Sequence, residues 1–376
     1  MVSTSQTHPI PVTLITGFLG SGKTTQLNAV LRNPAFAGTL VIVNEFGDVG
    51  LDHLLVDSAE DQVLLLDSGC LCCASSGNLR DTLIDLFVRR NTGAIPPFDR
   101  IMIETSGLAH PGPLTATLIG DSALLSRCKL SQVLTIVDAT NGADTLTTYQ
   151  EARDQVAMAD TLVIGKTDTA SPLQIQQLTE MLGGLNPHAP IHQWQIGQDT
   201  SHVLAPNSSA QDTVLAQPEV WIENLMGSRH LATKDAKPAS LWANDAPNPS
   251  RLAAFTHSGA FQSIQTYTLR FGKTQIGWPA YAALTQTLSQ TFGRMLLRCK
   301  GLLRLQGEDP WIIQGVQGYF AKPTRLPGHQ AWNGNSFLVC IGAALSAESL
   351  QAITAQIPEF SDLVISSTQP LEKTNG

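Results

Sequence analysis

Eight residues near the amino terminus constrain this chain more than any other feature. Gly17-Phe18-Leu19-Gly20-Ser21-Gly22-Lys23-Thr24 follows the apolar, β-branched run at 11–16 and precedes residues 25–32, which read as a helix. A glycine-rich turn between a strand and a helix lets backbone N–H groups curl around the α- and β-phosphates of a nucleotide, where side chains would collide. Lys23 can then reach the β- and γ-phosphates and the Thr24 hydroxyl can ligate Mg²⁺, while the helix N-terminus adds a favourable field for anions. Gly17, Gly20, Ser21, Gly22, Lys23, Thr24 and Thr25 are the expected triphosphate-binding residues.

Composition removes several classes of partner. A chain of 376 residues can build two domains with their own cores. Hydrophobic residues at 43% and charged residues at 14% are the balance of a soluble globular protein. A net charge of -8 and the lack of any Lys/Arg run argue against nucleic acid, whose phosphates demand a basic face. Residues 1–9 lack a basic start followed by an apolar stretch, so no secretion signal is expected. No apolar run approaches the ~20 residues of a membrane helix, so no membrane partner is expected. Six cysteines, three of them within four positions, do not form a secreted disulfide framework, and a reducing cytoplasm is the expected compartment.

Short apolar runs alternate with helical patterns from residue 12 to about 195. Strands are expected at 40–46, 63–66, 100–104, 133–137, 161–164 and 191–194, and helices at 78–90, 112–119, 145–158 and 172–182. Near-continuous apolar strands separated by helices make a parallel sheet buried on both faces, with its active edge at the carboxyl ends of the strands. The expected fold class is therefore α/β, a P-loop NTPase domain with a mainly parallel sheet over 1–204, followed by a smaller α+β domain over 261–370. Between them, 205–260 is turn-rich and reads as a linker with one short helix at 218–225. The second domain should hold strands at 265–271, 301–305, 311–320 and 336–341 and helices at 279–298 and 347–357, with a helix or two per face.

Further motifs carry chemistry. Ile101-Met102-Ile103-Glu104 is an apolar strand ending in a carboxylate, with Gly107 three residues on. Beside a phosphate loop, Glu104 can hold Mg²⁺ through water and the Gly107 N–H can meet the γ-phosphate; otherwise it is a strand-end acid in a turn. Gly165-Lys166-Thr167-Asp168 stands where GTPases carry Asn-Lys-x-Asp, the alternative being an ordinary strand-to-helix loop. Asp168 would accept hydrogen bonds from the guanine N1–H and exocyclic amine, donors adenine cannot match, and the Lys166 stem would lie along the base. Gly165 removes one side-chain hydrogen bond of about 0.5–1.5 kcal/mol, which weakens the discrimination of GTP from ATP. Cys70-Leu71-Cys72-Cys73 packs three thiols that cannot all pair with one another. In a reducing cell such a cluster suits Zn²⁺ or a similar soft ion, the alternative being buried small residues plus a redox pair. Asn44-Glu45-Phe46-Gly47-Asp48-Val49-Gly50-Leu51-Asp52 closes the second strand as either a switch loop, with Asp48 near Mg²⁺, or a solvated acidic loop. His110 reads as a structural hydrogen-bonder, the alternative being a metal contact, and Cys128, Cys299 and Cys340 read as isolated packing residues.

Together these residues resemble the CobW-type GTPases, the metallochaperone family that includes nitrile hydratase activators and is related to the urease and hydrogenase nickel-insertion GTPases. The resemblance rests on residues 17–25, 43–52, 69–73, 104–113 and 165–168, and in the second domain on Arg298-Cys299-Lys300-Gly301 and 337–342. It implies Mg²⁺-dependent GTP hydrolysis coupled to binding of Zn²⁺ or Co²⁺ at Cys70, Cys72 and Cys73 and delivery to an unidentified client metalloprotein. Lys23, Thr24 and Glu104 would be the catalytic residues. Gly165 departs from the family pattern, and the His-rich insert of many members is absent, leaving His257 alone. No glutamine stands ready to orient water and no arginine finger is evident, so intrinsic turnover should be slow. Two rivals are a nucleotide-binding thiol-based metal or redox sensor and a P-loop small-molecule kinase.

Overall fold

The computed structural model describes residues 9–43, 63–67, 77–195, 197–198, 203, 264–272, 275–307, 309–326, 335–360 and 363–367. Its first block contains β1 (Ile10–Thr16), α1 (Lys23–Leu31), β2 (Thr39–Val43), β3 (Val63–Asp67), α2 (Gly77–Thr92), β4 (Arg100–Glu104), α3 (Gly112–Gly120), α4 (Ser122–Leu125), β5 (Cys128–Asp138), α5 (Gly142–Thr148), α6 (Gln150–Met158), β6 (Thr161–Gly165), α7 (Pro172–Leu185) and β7 (Ile191–Gln193). All seven strands are parallel, in the order β3-β2-β4-β1-β5-β6-β7.

Alternate residues of each strand serve opposite faces. Ile15, Val41, Met102 and Ile136 pack against Leu27, Val30 and Leu31 of α1. Leu14, Ile42 and Ile103 pack against Leu79, Leu83, Leu114 and Leu118 of α2 and α3. Burial on both faces is what makes these strands near-continuous apolar runs. From β1 the chain passes through α1 to β2, two places away, whereas β4 connects to β5 on the far side of β1. That reversal opens a crevice at the carboxyl ends of β1, β4 and β5, where ligands of open α/β sheets bind.

Two expectations for this block need correction. The 145–158 helix is two helices, broken at Tyr149, whose backbone is extended (φ −112, ψ 126) and whose ring stands 4.5 Å from that of Phe18. The strand expected at 133–137 begins at Cys128.

The second block contains β8 (Ile264–Gly272), α8 (Trp278–Phe292), β9 (Arg298–Leu303), β10 (Trp311–Val316), β11 (Tyr319–Phe320), β12 (Thr324–Arg325), β13 (Ser336–Ala343), α9 (Ala347–Thr354) and β14 (Val364–Ser367). Its antiparallel sheet runs β11-β10-β9-β13-β8-β14, with β12 paired to β10. The helix expected to reach residue 298 stops at Phe292 because Gly293 takes φ 49, and Arg298 opens a strand instead. The strand expected over 311–320 folds back at Gln317-Gly318.

Both helices lie on one face, over Leu269, Cys299, Ile313 and Leu338. On the other face Leu302, Ile312, Val316, Phe337, Val339 and Ile341 join the cluster of α2 and α3. The first domain therefore replaces the helix expected on that face, and the two domains share one apolar core. The expected linker at 205–260 and its helix at 218–225 lie outside the described residues. Among those described, no helix is long and apolar enough to cross a membrane.

Candidate functional site

The phosphate loop leaves β1 at Thr16 and enters α1 at Lys23. Gly17, Gly20 and Gly22 take φ 144, 71 and 95, in the region that disfavours side chains. At Gly17 a Cβ would stand 2.2 Å from the Ile136 carbonyl oxygen, so the turn can hug β5 only as glycine. Lys23 is 7% exposed and its Nζ donates to the carbonyls of Gly17 (3.0 Å) and Phe18 (3.3 Å), inside the curl of its own loop.

Thr24 Oγ1 donates to Glu104 Oε1 at 2.6 Å. The register that sets Ile15 opposite Glu104 brings these side chains together from 80 positions apart. A threonine hydroxyl beside a buried carboxylate is a hard-oxygen donor set suited to Mg²⁺. Gly107 rests directly on the phosphate loop, for a Cβ there would lie 2.6 Å from Leu19 N.

Lys166 adopts φ 58 at the end of β6, and its Nζ donates to the Gly20 carbonyl (2.6 Å) and Asp138 Oδ2 (2.8 Å). Its stem thus spans from the phosphate loop to the end of β5. Burial pushes the Asp138 carboxyl up, but hydrogen bonds from Lys166 and from the N–H groups of Asn141 and Thr140 outweigh it and hold the group below its ordinary range. Asp168 is exposed in the following turn. Beside Gly165, a Cβ would lie 3.4 Å from Ser21 O, 3.5 Å from Ile136 Cγ2 and 3.9 Å from Trp194 Cε3. The buried Trp194 occupies ground next to this glycine, and its carbonyl accepts from Thr167 Oγ1 at 3.2 Å.

Several contributors escaped the sequence reading. Gln155 is buried on α6 and its Nε2 donates to the carbonyls of Gly107 and Ala109, at 3.1 Å each. Nothing in the sequence distinguishes it from any polar helix residue. Asp138 did carry a signal, since it ends an apolar strand as Glu104 does. His110 accepts the Gly112 N–H on Nδ1 at 3.0 Å, and its Nε2 lies 3.4 Å from Asp154 Oδ2. Both ring nitrogens are thereby engaged in structure.

Cys70, Cys72, Cys73 and Asp48 lie outside the described residues. β3, which precedes the cysteines, ends at Asp67 on the same sheet edge as the phosphate loop. Among the described residues no three His, Cys, Asp or Glu side chains converge as a metal site. Cys128, Cys299 and Cys340 are buried; burial pushes the Cys128 thiol up to about 12 and raises that of Cys299 as well. Cys299 and Cys340 are not isolated as expected, because they face each other across β9 and β13 with Sγ atoms 3.3 Å apart.

Residues 11–193 match the CobW/HypB/UreG nucleotide-binding domain, and residues 264–357 match the cobalamin synthesis protein CobW C-terminal domain. The zinc chaperone YjiA of Escherichia coli is 39% identical over 185 residues, covering 49% of this chain and 57% of that protein. The zinc-regulated GTPase metalloprotein activator 1 of Schizosaccharomyces pombe is 34% identical over 53% of this chain and 50% of its own length. The chain thus spans little more than half the length of these curated relatives. A crystal structure of the Zn(II)-bound YjiA GTPase from E. coli superposes with a TM-score of 0.63 at 26% identity, covering 93% of this chain and 99% of that one.

Proposed function

The chain belongs to the CobW/HypB/UreG family and carries a CobW C-terminal domain, and from that premise we propose that it is a Mg²⁺-dependent GTP hydrolase. We further propose that it binds Zn²⁺ (or Co²⁺) at Cys70, Cys72 and Cys73 and delivers the ion to a client metalloprotein in a reducing cytoplasm. The observation that carries the reading is the 2.6 Å Thr24–Glu104 hydrogen bond, which ties the phosphate loop to the end of β4 with Lys23 enclosed. The zinc assignment draws on relatives named as zinc chaperones.

In this reading the loop N–H groups bind the α- and β-phosphates, and Lys23 exchanges its two carbonyl partners for β- and γ-oxygens. Thr24 and Glu104 would hold Mg²⁺, which would supply neutralisation of charge on the phosphates. The Gly107 N–H meets the γ-phosphate, and Lys166 and Asp168 receive the base. The Gln155 amide nitrogen is committed to two carbonyls and supports the Gly107 loop from behind. Loss of the γ-phosphate would release the 44–52 and 104–110 loops and change the surroundings of the thiolates.

Guanine selection tests the base loop. Asp168→Asn should cut the preference for GTP over ATP about tenfold or more, because hydrogen bonds to a charged acceptor are worth about 1.5–3 kcal/mol. Equal affinity of the parent protein for GTP and ATP in calorimetry would sink the guanine assignment.

The metal coupling tests the whole reading. Reduced protein should bind one Zn²⁺ or Co²⁺ per chain more tightly with a non-hydrolysable GTP analogue and Mg²⁺ than with GDP. Linkage then requires the metal to tighten analogue binding by the same factor, and about 1.4 kcal/mol would be tenfold. Co²⁺ should show an intense visible band of tetrahedral thiolate coordination, absent after Cys72→Ser and Cys73→Ser. Equal metal affinity in both nucleotide states would leave the cysteines a structural or redox feature.

A further inference from the structure

The segment from Gly107 to Gly112 is held from behind by two separate parts of the molecule. Gln155 on α6 fixes its first half through the Gly107 and Ala109 carbonyls. The second domain fixes the other half, through a two-residue turn between β10 and β11. In that turn Gln317 and Gly318 take φ 48 and 78 while Val316 pairs with Tyr319. Two positive φ values are the mark of a tight hairpin turn that favours Asn, Asp or Gly at its first position. A glutamine there bears a conformational cost and needs a compensating contact.

That contact is with the first domain. The Gln317 amide lies flat on Gly112, where a Cβ would stand 2.2 Å from its Cδ and 2.4 Å from its Nε2. Its Nε2 is also 3.4 Å from His110 Nδ1. Since that nitrogen accepts the Gly112 N–H, the ring proton belongs on Nε2, toward Asp154. A side chain of the second domain therefore braces the start of α3 five residues after the glycine that rests on the phosphate loop.

Building on the nucleotide reading above, we infer that Gln317 is a positioning residue for the Gly107 loop, through which the second domain favours and senses the γ-phosphate. The contact fixes the Gly112 end of this loop before nucleotide arrives, so part of the ordering that lets Gly107 meet the γ-phosphate is already done. By linkage, γ-phosphate binding must tighten the same interdomain contact.

The test uses the full chain as the parent and as Gln317→Gly, with Gly112→Ala as a second variant. Glycine accepts φ 48 without strain, so Gln317→Gly should keep or raise the melting temperature while losing the amide. Gly112→Ala keeps the amide but displaces it. In both, affinity for a non-hydrolysable GTP analogue with Mg²⁺ and the single-turnover hydrolysis rate should fall about fivefold or more, with GDP affinity unchanged. Hydrogen exchange at 311–320 should slow on analogue binding in the parent and not in Gln317→Gly. Unchanged analogue affinity and rate in both variants would overturn the inference and leave the nucleotide reading standing. So would equal losses for GDP and analogue with a lower melting temperature. A parent that binds neither the analogue nor GDP and releases no phosphate from GTP would overturn the nucleotide reading and this inference with it.

Discussion

Lys23→Ala is expected to reduce GTP hydrolysis by about 10²–10³-fold or more, the scale of losing one preorganised charge-stabilising donor. The geometry makes the loss specific. Lys23 is the ammonium enclosed by the loop, with Nζ on the Gly17 and Phe18 carbonyls, a short swing from where the β- and γ-phosphates would lie. Alanine removes that cation and deprives both carbonyls of a donor. The loop N–H groups remain for the α- and β-phosphates, so triphosphate affinity should fall further than diphosphate affinity. Lys23→Arg should not restore activity, because a planar guanidinium is bulkier than an ammonium inside a glycine turn. Phosphate release from GTP and calorimetry with GDP and a GTP analogue provide the measurements. Phosphate release equal to that of the parent would remove the central claim.

The reach of the sequence differs sharply between local and non-local features. The β4 limits, Arg100–Glu104, could be read directly, because a strand buried on both faces is an apolar run with a polar stop. The place of the phosphate loop between β1 and α1, with β4 beside it, was likewise legible from the strand–glycine loop–helix pattern. The Thr24–Glu104 hydrogen bond, in contrast, is a contact over 80 positions that no local pattern marks. The break at Tyr149 was not: residues 145–158 contain no Gly or Pro, and the interruption is set by ring packing on Phe18 from another element. The end of α8 was overrun although Gly293 marked it, because the apolar periodicity continues through Met295 and Leu296. Residues at the domain interface were the least legible. Arg298 and Lys300 were noted only as part of a resemblance, and their partner lies 138 positions upstream of Arg298. A pair of that separation leaves no local pattern.

That partner is Asp160, and Asp160→Ala should destabilise the protein by about 3–5 kcal/mol, the cost of breaking a buried ion pair from one side. Asp160 precedes β6 and its side chain is 9% exposed; Oδ1 meets both Arg298 Nη2, at 2.7 Å, and Lys300 Nζ from β9. Its Oδ2 accepts the Val133 N–H at 2.9 Å. Alanine would leave two cations facing each other at the domain interface and an N–H without its acceptor. Replacing Arg298 and Lys300 by methionine alongside Asp160→Ala should recover much of the loss, since apolar packing often substitutes for a buried ion pair. Burial pushes the Asp160 carboxyl up, but the charges of Arg298 and Lys300 outweigh it and hold the group below its ordinary range. A lowered folded value means that the contribution is complete above the unfolded value of about 3.9 and is lost as pH falls below it. Urea midpoints of parent and Asp160→Ala should therefore differ by a constant amount from pH 7 to 5 and converge below about pH 4. A gap that persists undiminished well below that point would show that the contact does not depend on an ionised Asp160. The neutral side chain would then still hold the second domain through hydrogen bonding and packing, beside the apolar face of Leu302, Ile312, Phe337 and their neighbours over α2 and α3.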